Sequence, residues 1–164
     1  MFCSMCDNKK RLKEEKGTYS YKSSGLNNVT LVGITHSQCD KCGEEYHGYG
    51  DMEKLHRAIA HALIQKRPLL IPEEVRFLRK YLGYSSADFA VQHLGITPEH
   101  LSRIENGKDA VSATIDRLIR SLVTNKDPHR DYDALALLAH REKEFKRIVL
   151  SPNKQGNWNL HEAA

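Results

Sequence analysis

The sequence lacks the features of a membrane-spanning or secreted chain. Its 164 residues have a mean hydropathy of −0.59, and none of its apolar runs reaches the roughly 18 residues that a transmembrane helix needs. The first residues do not form a basic segment followed by an apolar one, which is the pattern of a secretory signal. We therefore expect a cytoplasmic protein with room for one ordinary domain or two small ones.

The chain also lacks a block of positive charge. It has 25 Lys and Arg residues against 21 Asp and Glu residues, for a net charge of +4, and residues 72–123 carry equal numbers of both. A general positive field therefore does not indicate a nucleic-acid partner. Any binding to phosphates must come from a few placed cations and from helix N-termini.

Cysteines are few and lie in the first 42 residues. Cys3 and Cys6 form one CxxC pair, Cys39 and Cys42 form another, and residues 7–38 separate the two. Zinc prefers four ligands in a tetrahedron, and a two-residue spacer lets one tight turn present two thiolates to the same ion. The spacing predicts one structural zinc ion per chain, bound by all four cysteines.

Two other interpretations use the same cysteines. Two disulfides or four free thiols would need no metal, although a disulfide within CxxC is usually redox-active. Iron in a rubredoxin-like site is the second, and the sequence alone does not separate it from zinc. His36 and His47 flank the second pair, but four thiolates leave no need for them as ligands. Because a site closed by four protein ligands has no open position for water, an enzyme is not predicted.

Changes in residue pattern divide the chain into four pieces. Residues 1–50 form the zinc-binding domain, in which two runs rich in β-branched and aromatic residues, 18–21 and 29–34, predict an antiparallel strand pair. Residues 51–68 have helical period and end before Pro68, as a linker helix.

Residues 69–124 contain four sets of helix start and stop signals, which predict a compact helical domain. In residues 125–164 we expect a C-terminal helix that opens at Asp131 and includes Val149, followed by a flexible polar tail. The predicted fold class is α+β, mostly α: a small N-terminal zinc-ribbon-like β domain, then a helical helix-turn-helix domain and a C-terminal helix.

The segment from Leu94 to Pro98 is a short glycine turn between two predicted helices. This spacing is typical of a helix-turn-helix, whose second helix projects from the domain and enters the major groove of DNA. Arg103 can donate to guanine O6 and N7, and Glu99 can accept from cytosine N4. The alternative is a helical bundle whose third helix merely has a solvated face. The candidate DNA contacts are Ser86, Thr97, Glu99, His100, Ser102, Arg103 and Lys108.

These residues resemble a known family. Residues 74–90 and 94–107, which end in Ser-Arg-Ile-Glu-Asn-Gly, look like an Xre/Cro-type helix-turn-helix. Together with the two CxxC pairs and the turn at residues 24–29, the stretch 1–124 is similar to the MqsA family of antitoxins with a YgiT-type zinc finger. The resemblance implies that the four cysteines bind zinc and that Arg103 reads a base.

The resemblance also implies partners. It implies an N-terminal domain that packs against a toxin, often an mRNA-cleaving ribonuclease, and a homodimer that represses its own operon at a palindromic double-stranded operator. The chain departs from the family where Glu99 replaces a base-contacting asparagine and where the helix before the turn is one residue longer. We predict a zinc-containing transcriptional repressor, the antitoxin of a type II toxin-antitoxin pair. The alternatives are a stand-alone Xre-type regulator without a toxin and a rubredoxin-like redox protein.

Overall fold

The computed structural model describes residues 2–7, 10–126 and 148–161. In this part of the chain, five strands form one mixed sheet and five helices follow the first three strands. The strands are β1 (Glu14–Ser20), β2 (Val29–Gln38), β3 (Glu45–Gly48), β4 (Ile148–Pro152) and β5 (Trp158–His161). The helices are α1 (Met52–Gln65), α2 (Pro72–Leu82), α3 (Ser86–Asp88, continuing as a π-helix over Phe89–Leu94), α4 (Pro98–Glu105) and α5 (Ala113–Lys126). The α+β class is therefore confirmed.

β1 and β2 form the predicted antiparallel pair. Gly17 pairs with Ile34 and Thr18 pairs with Val32, so Gly33 of β2 has no partner in β1. The φ angle of Gly33 is 75°. A glycine in the left-handed region is the usual first residue of a β-bulge, since a side chain is strained there. The bulge lets β2 bend while its apolar residues stay on the buried face.

β2 is the central strand of the sheet because it has partners along both edges. β1 pairs with one edge, whereas the other edge pairs with β3 at Thr35–Gln38 and with β4 at Val29–Leu31. The pairing with β4 is parallel, and β5 then adds to β4 as an antiparallel hairpin. The two ends of the described chain therefore share one sheet.

For residues 148–161, the predictions of a helix that includes Val149 and of a flexible polar tail from Ser151 are both wrong. These residues form the β4–β5 hairpin, and Val149, which we assigned to the C-terminal helix, lies in β4. The polar residues between the strands form a turn, in which Asn153 Oδ1 accepts hydrogen bonds from the backbone N–H groups of Gln155 and Asn157, both at 3.0 Å. The rest of the predicted helix, up to residue 147, lies outside the described residues.

The helix boundaries follow the capping signals in the sequence. Asp51 accepts hydrogen bonds from the N–H groups of Glu53 and Lys54 at the start of α1, and Ser112 Oγ accepts from Ile115 at the start of α5. Such caps satisfy N–H groups that have no partner within the helix. α1 packs against β4 and β5 on one side and against α2 and α5 on another. It therefore joins the sheet and the helices into one apolar core.

The spacing of Ile115, Leu118, Ile119 and Leu122 predicts an inward apolar stripe on α5, which the structure shows only in part. Ile115 and Ile119 are buried, but Leu118 and Leu122 are only half-buried. Three polar residues are buried in the same helix: Asp116, Arg120 and Thr124.

Arg120 explains why α5 turns a polar side inward. Its side chain donates to the carbonyl oxygens of Ile64, Lys66 and Pro68, at 2.7 to 2.8 Å. These carbonyls belong to the last residues of α1 and the segment after it, where helical partners are missing. Arg120 thereby fixes the connection between α1 and α2.

Candidate functional site

The two CxxC pairs meet at one point beside β3. The sulfur atoms of Cys3 and Cys6 are 3.6 Å apart, those of Cys3 and Cys42 are 3.6 Å apart, and those of Cys6 and Cys39 are 3.7 Å apart. All four sulfurs lie within 4.8 Å of one another. The sequence prediction that these four residues form one cluster is confirmed.

The spacing of the sulfurs fits a single metal ion. A tetrahedral zinc site with bonds of about 2.3 Å places its sulfurs about 3.8 Å apart, which is close to the three distances above. A disulfide needs a sulfur–sulfur bond of about 2.05 Å, and no disulfide joins any two of the four cysteines. The four cysteines can therefore hold one metal ion, and the alternative of two disulfides is not seen.

Backbone turns position the thiols of the second pair. Gly43 N–H donates to the carbonyl of Cys39 at 2.9 Å, and Gly43 has a φ of 77°. The backbone N–H of Cys39 donates to the carbonyl of Glu44, also at 2.9 Å. This closed turn brings Cys39 and Cys42 together, and the left-handed conformation explains the glycine after Cys42.

Tyr46 is a neighbour of the cysteines that no signal in the sequence indicates. Its hydroxyl lies 3.3 Å from the Cys3 sulfur and accepts a hydrogen bond from the backbone N–H of Ser4 at 2.9 Å. The hydrogen bond with Tyr46 is the main reason why the pKa of the Cys3 thiol is lowered. Tyr46 therefore ties the first CxxC pair to β3.

The candidate DNA contacts lie around α4. Thr97 is the N-cap of this helix and accepts from the backbone N–H of His100 at 3.2 Å. Leu101 and Ile104 are fully buried on the inner side of the helix. The remaining candidates differ in exposure: Ser86 is half-buried at the start of α3, whereas Thr97, Glu99, His100, Ser102, Arg103 and Lys108 are exposed.

Buried ion pairs hold α4 against α2. Glu105 is 7% exposed and accepts from Arg79 Nε at 2.7 Å and Arg79 Nη2 at 3.1 Å. Arg76 donates to the backbone carbonyl of Glu105 and to Asn106 Oδ1. Glu105 therefore adds no negative charge to the exposed face, and Arg79 is engaged within the protein.

Arg103 has a partner that the sequence analysis did not identify. Its Nε and Nη2 atoms donate to the two carboxylate oxygens of Asp109, at 2.8 and 2.7 Å. The backbone between them turns back after α4, with Lys108 N–H donating to the Arg103 carbonyl at 2.8 Å. This turn carries Asp109 to the exposed side of α4.

The helix before the turn ends in a π-helical segment. The π-helical residues Phe89–Leu94 follow three residues of α-helix, and the N–H of Gly95 donates to the carbonyl of Ala90, five residues earlier. Such wider turns occur mostly as single-turn bulges within α-helices. Phe89, Ala90 and Leu94 of this segment are buried in the core.

Comparisons of the chain with family models, with curated proteins and with solved structures give no match. Within the described residues, no helix combines the length and the apolar character needed to cross a membrane. The cysteine cluster and the exposed residues around α4 are therefore assigned a role from their geometry and side-chain chemistry alone.

Proposed function

We propose that the protein is a zinc-containing, sequence-specific DNA-binding transcriptional repressor in which α3 and α4 form a helix-turn-helix. The observation that carries this proposal is the exposed row on α4. A helix with two fully buried residues on one side presents Thr97, His100 and Arg103 on the other. Hydroxyl, imidazole and guanidinium groups at the N-terminal end of a projecting helix are suited to base edges and phosphates.

The mixed charge around α4 supports recognition of particular DNA sequences and not general electrostatic attraction to DNA. Glu99, Arg103 and Lys108 are exposed, and Asp109 pairs with Arg103, so the surface around α4 carries both signs. A carboxylate near a phosphate backbone is repelled, whereas a carboxylate at a base edge can accept a hydrogen bond from cytosine. Such a face favours particular sequences and disfavours random ones.

DNA binding is tested by selection from a pool of random-sequence duplexes with the purified full chain. We expect palindromic sites whose half-sites lie about one turn of DNA, roughly 34 Å, apart, because a homodimer presents two recognition helices. Arg103→Ala should lose binding to the selected duplex. The matched control is Arg57→Ala on α1, which removes the same side chain away from α4 and should bind as the wild type does. Selection without any enriched sequence would overturn the proposal.

Zinc is the metal that we propose for the four cysteines. All four sulfurs lie within 4.8 Å of one another, and a site closed by four cysteines is a common structural zinc site. Zinc bound by four thiolates is colourless, whereas iron in a rubredoxin-like site is coloured. Metal analysis of the purified chain should find about one tightly held zinc ion per chain, and iron in its place would favour the redox protein.

We propose further that the N-terminal region binds a toxin. Phe2 precedes the first CxxC pair and Met5 lies within it, and their side chains are 63% and 68% exposed. Neighbouring exposed apolar side chains are typical of surfaces that bind another protein. Co-expression with the product of the adjacent reading frame tests this role. A stable complex that Phe2→Ser weakens supports an antitoxin, whereas no complex favours a stand-alone regulator.

A further inference from the structure

Two histidines face each other across β2 and β3, apart from the four cysteines. His36 and His47 are register partners, and their ring centroids are 5.1 Å apart. Directly opposed residues in antiparallel strands place their side chains on the same face of the sheet. Glu45 precedes His47 by two residues in β3 and therefore shares that face, while Tyr46, which contacts Cys3, lies on the other.

The three side chains bring metal-binding atoms together. One ligand atom from each of His36, Glu45 and His47 lies within 4.8 Å of the others, and His47 Nε2 is 3.7 Å from Glu45 Oε2. Nitrogen and oxygen ligands of a tetrahedral ion, at bond lengths of about 2.0–2.1 Å, are about 3.4 Å apart. Small side-chain rotations can therefore bring all three to one ion.

The polar atoms of His47 have few partners of their own. Its side chain is 14% exposed, and its buried Nδ1 atom has no hydrogen-bond partner within the described residues. The other ring nitrogen is farther from Glu45 than a hydrogen bond allows. A buried imidazole nitrogen without a hydrogen-bond partner is costly, and a coordination bond to it would offset part of that cost.

The cluster lies in an open cavity of about 270 Å³ whose other wall is β1. Glu15 of β1 is the register partner of His36 and lies on this wall, where it also pairs with Lys13 at 2.6 Å. An ion bound by three protein atoms would therefore have room for water or for the carboxylate of Glu15 as a fourth ligand. This arrangement differs from the four-thiolate site, where protein atoms complete the coordination.

We propose that His36, His47 and Glu45 bind a second, exchangeable divalent transition-metal ion. Imidazole and carboxylate ligands suit Zn²⁺, Co²⁺ and Ni²⁺, and three neutral or singly charged ligands hold an ion less tightly than four thiolates do. The site is independent of DNA binding and can be tested without any DNA.

The test is a titration of the full chain with Co²⁺ after its four cysteines are loaded with zinc. Equilibrium dialysis should find one additional Co²⁺ per chain, with visible absorption typical of nitrogen and oxygen ligands and without a thiolate-to-cobalt charge-transfer band. His36→Gln and Glu45→Gln should each weaken this binding by about tenfold or more, since even loss of a residue that supports a ligand costs about 10–100-fold. His161→Gln, which removes an exposed histidine from β5, should leave it unchanged.

Three results of this titration would overturn the proposal. The first is that the wild type binds no more cobalt than a chain with both histidines replaced. The second is equal cobalt affinity in His36→Gln and the wild type, and the third is a charge-transfer band, which would show cobalt at the cysteines. The zinc content of each variant reports whether the N-terminal sheet has folded.

Paramagnetic broadening in the NMR spectrum of the wild type provides a test that needs no variant. We expect broadening centred on residues 36, 45 and 47, and broadening centred elsewhere contradicts the site.

Discussion

The guanidinium of Arg103 is held by the carboxylate of Asp109 through two hydrogen bonds, at 2.8 and 2.7 Å. Both groups are exposed enough to meet solvent, and the pairing raises the pKa of Arg103 and lowers the pKa of Asp109. Both side chains are therefore charged at neutral pH. In the proposed repressor, Asp109 orients the arginine that reads the operator and also repels other DNA.

Asp109→Asn should therefore reduce specificity more than it reduces affinity. The variant removes a negative charge beside the DNA-binding face, so affinity for a random duplex should rise. The freed Arg103 should discriminate less well, and a good bidentate contact is worth about 1–3 kcal/mol of discrimination. Specificity is measured as the ratio of the dissociation constant for a random duplex to that for the selected duplex. An unchanged ratio would show that Asp109 does not position Arg103.

Arg120→Ala should strongly destabilise the chain. Arg120 and Asp116 are each about 1% exposed, and the variant would leave the Asp116 carboxylate and three backbone carbonyls without this donor. Breaking one side of a buried ion pair costs about 3–5 kcal/mol. Urea unfolding of the zinc-loaded chain measures the change. Arg117→Ala, an exposed arginine of the same helix, is the control and should change the free energy of unfolding by less than about 0.5 kcal/mol.

The pairing of β4 with β2 predicts different effects at two leucines of the hairpin. Leu150 and Leu160 are register partners, but Leu150 is fully buried and Leu160 is 47% exposed. Leu150→Ala should lower the free energy of unfolding by about 2–5 kcal/mol, the usual cost of such a truncation in a core. Leu160→Ala should cost much less. Equal effects at the two positions would contradict the packing of this hairpin on the sheet.

His56 should make stability depend on pH. Its Nε2 atom lies 3.2 Å from the Tyr21 hydroxyl, its ring meets the ring of Phe77 edge-on, and burial lowers its pKa. The unfolded chain therefore binds the proton more readily, and the free energy of unfolding should fall as the pH drops below about 6.5, the ordinary pKa of histidine.

The comparison of His56→Gln with the wild type isolates this effect, because protonation of the cysteines affects both chains equally. Urea midpoints measured above and below the ordinary pKa of histidine should show a smaller loss on acidification in the variant. Equal losses in the two chains would assign the pH dependence to other groups.

Local signals in the sequence predicted much of the helical part. Asp51, Thr97 and Ser112 act as N-caps, and Gly83 and Gly95 end their helices in the left-handed conformation. These features depend on neighbouring residues, so a reading of the sequence can find them. The CxxC spacing is similarly local within each pair, and the two pairs were correctly expected to meet.

Contacts between distant residues could not be predicted in this way. Nothing near Ile148 indicates that its partner is Val29, and a short apolar run is compatible with either a strand or a helix. The hydrogen bonds of Arg120 depend on where α1 ends, and those of Asp109 depend on how the chain turns after α4. His36 and His47 were considered only as neighbours of the cysteines, since their pairing requires the register of β2 and β3.

The most direct measurement of the central claim is the affinity of the zinc-loaded chain for the selected duplex and for a shuffled duplex of equal composition, over a range of salt concentrations. We predict that the selected duplex binds at least about 10³-fold more tightly, as specific sites do, and that its affinity falls linearly on a log–log plot against salt. Equal affinity for the two duplexes, or an affinity that does not change with salt, would contradict a sequence-specific DNA-binding function.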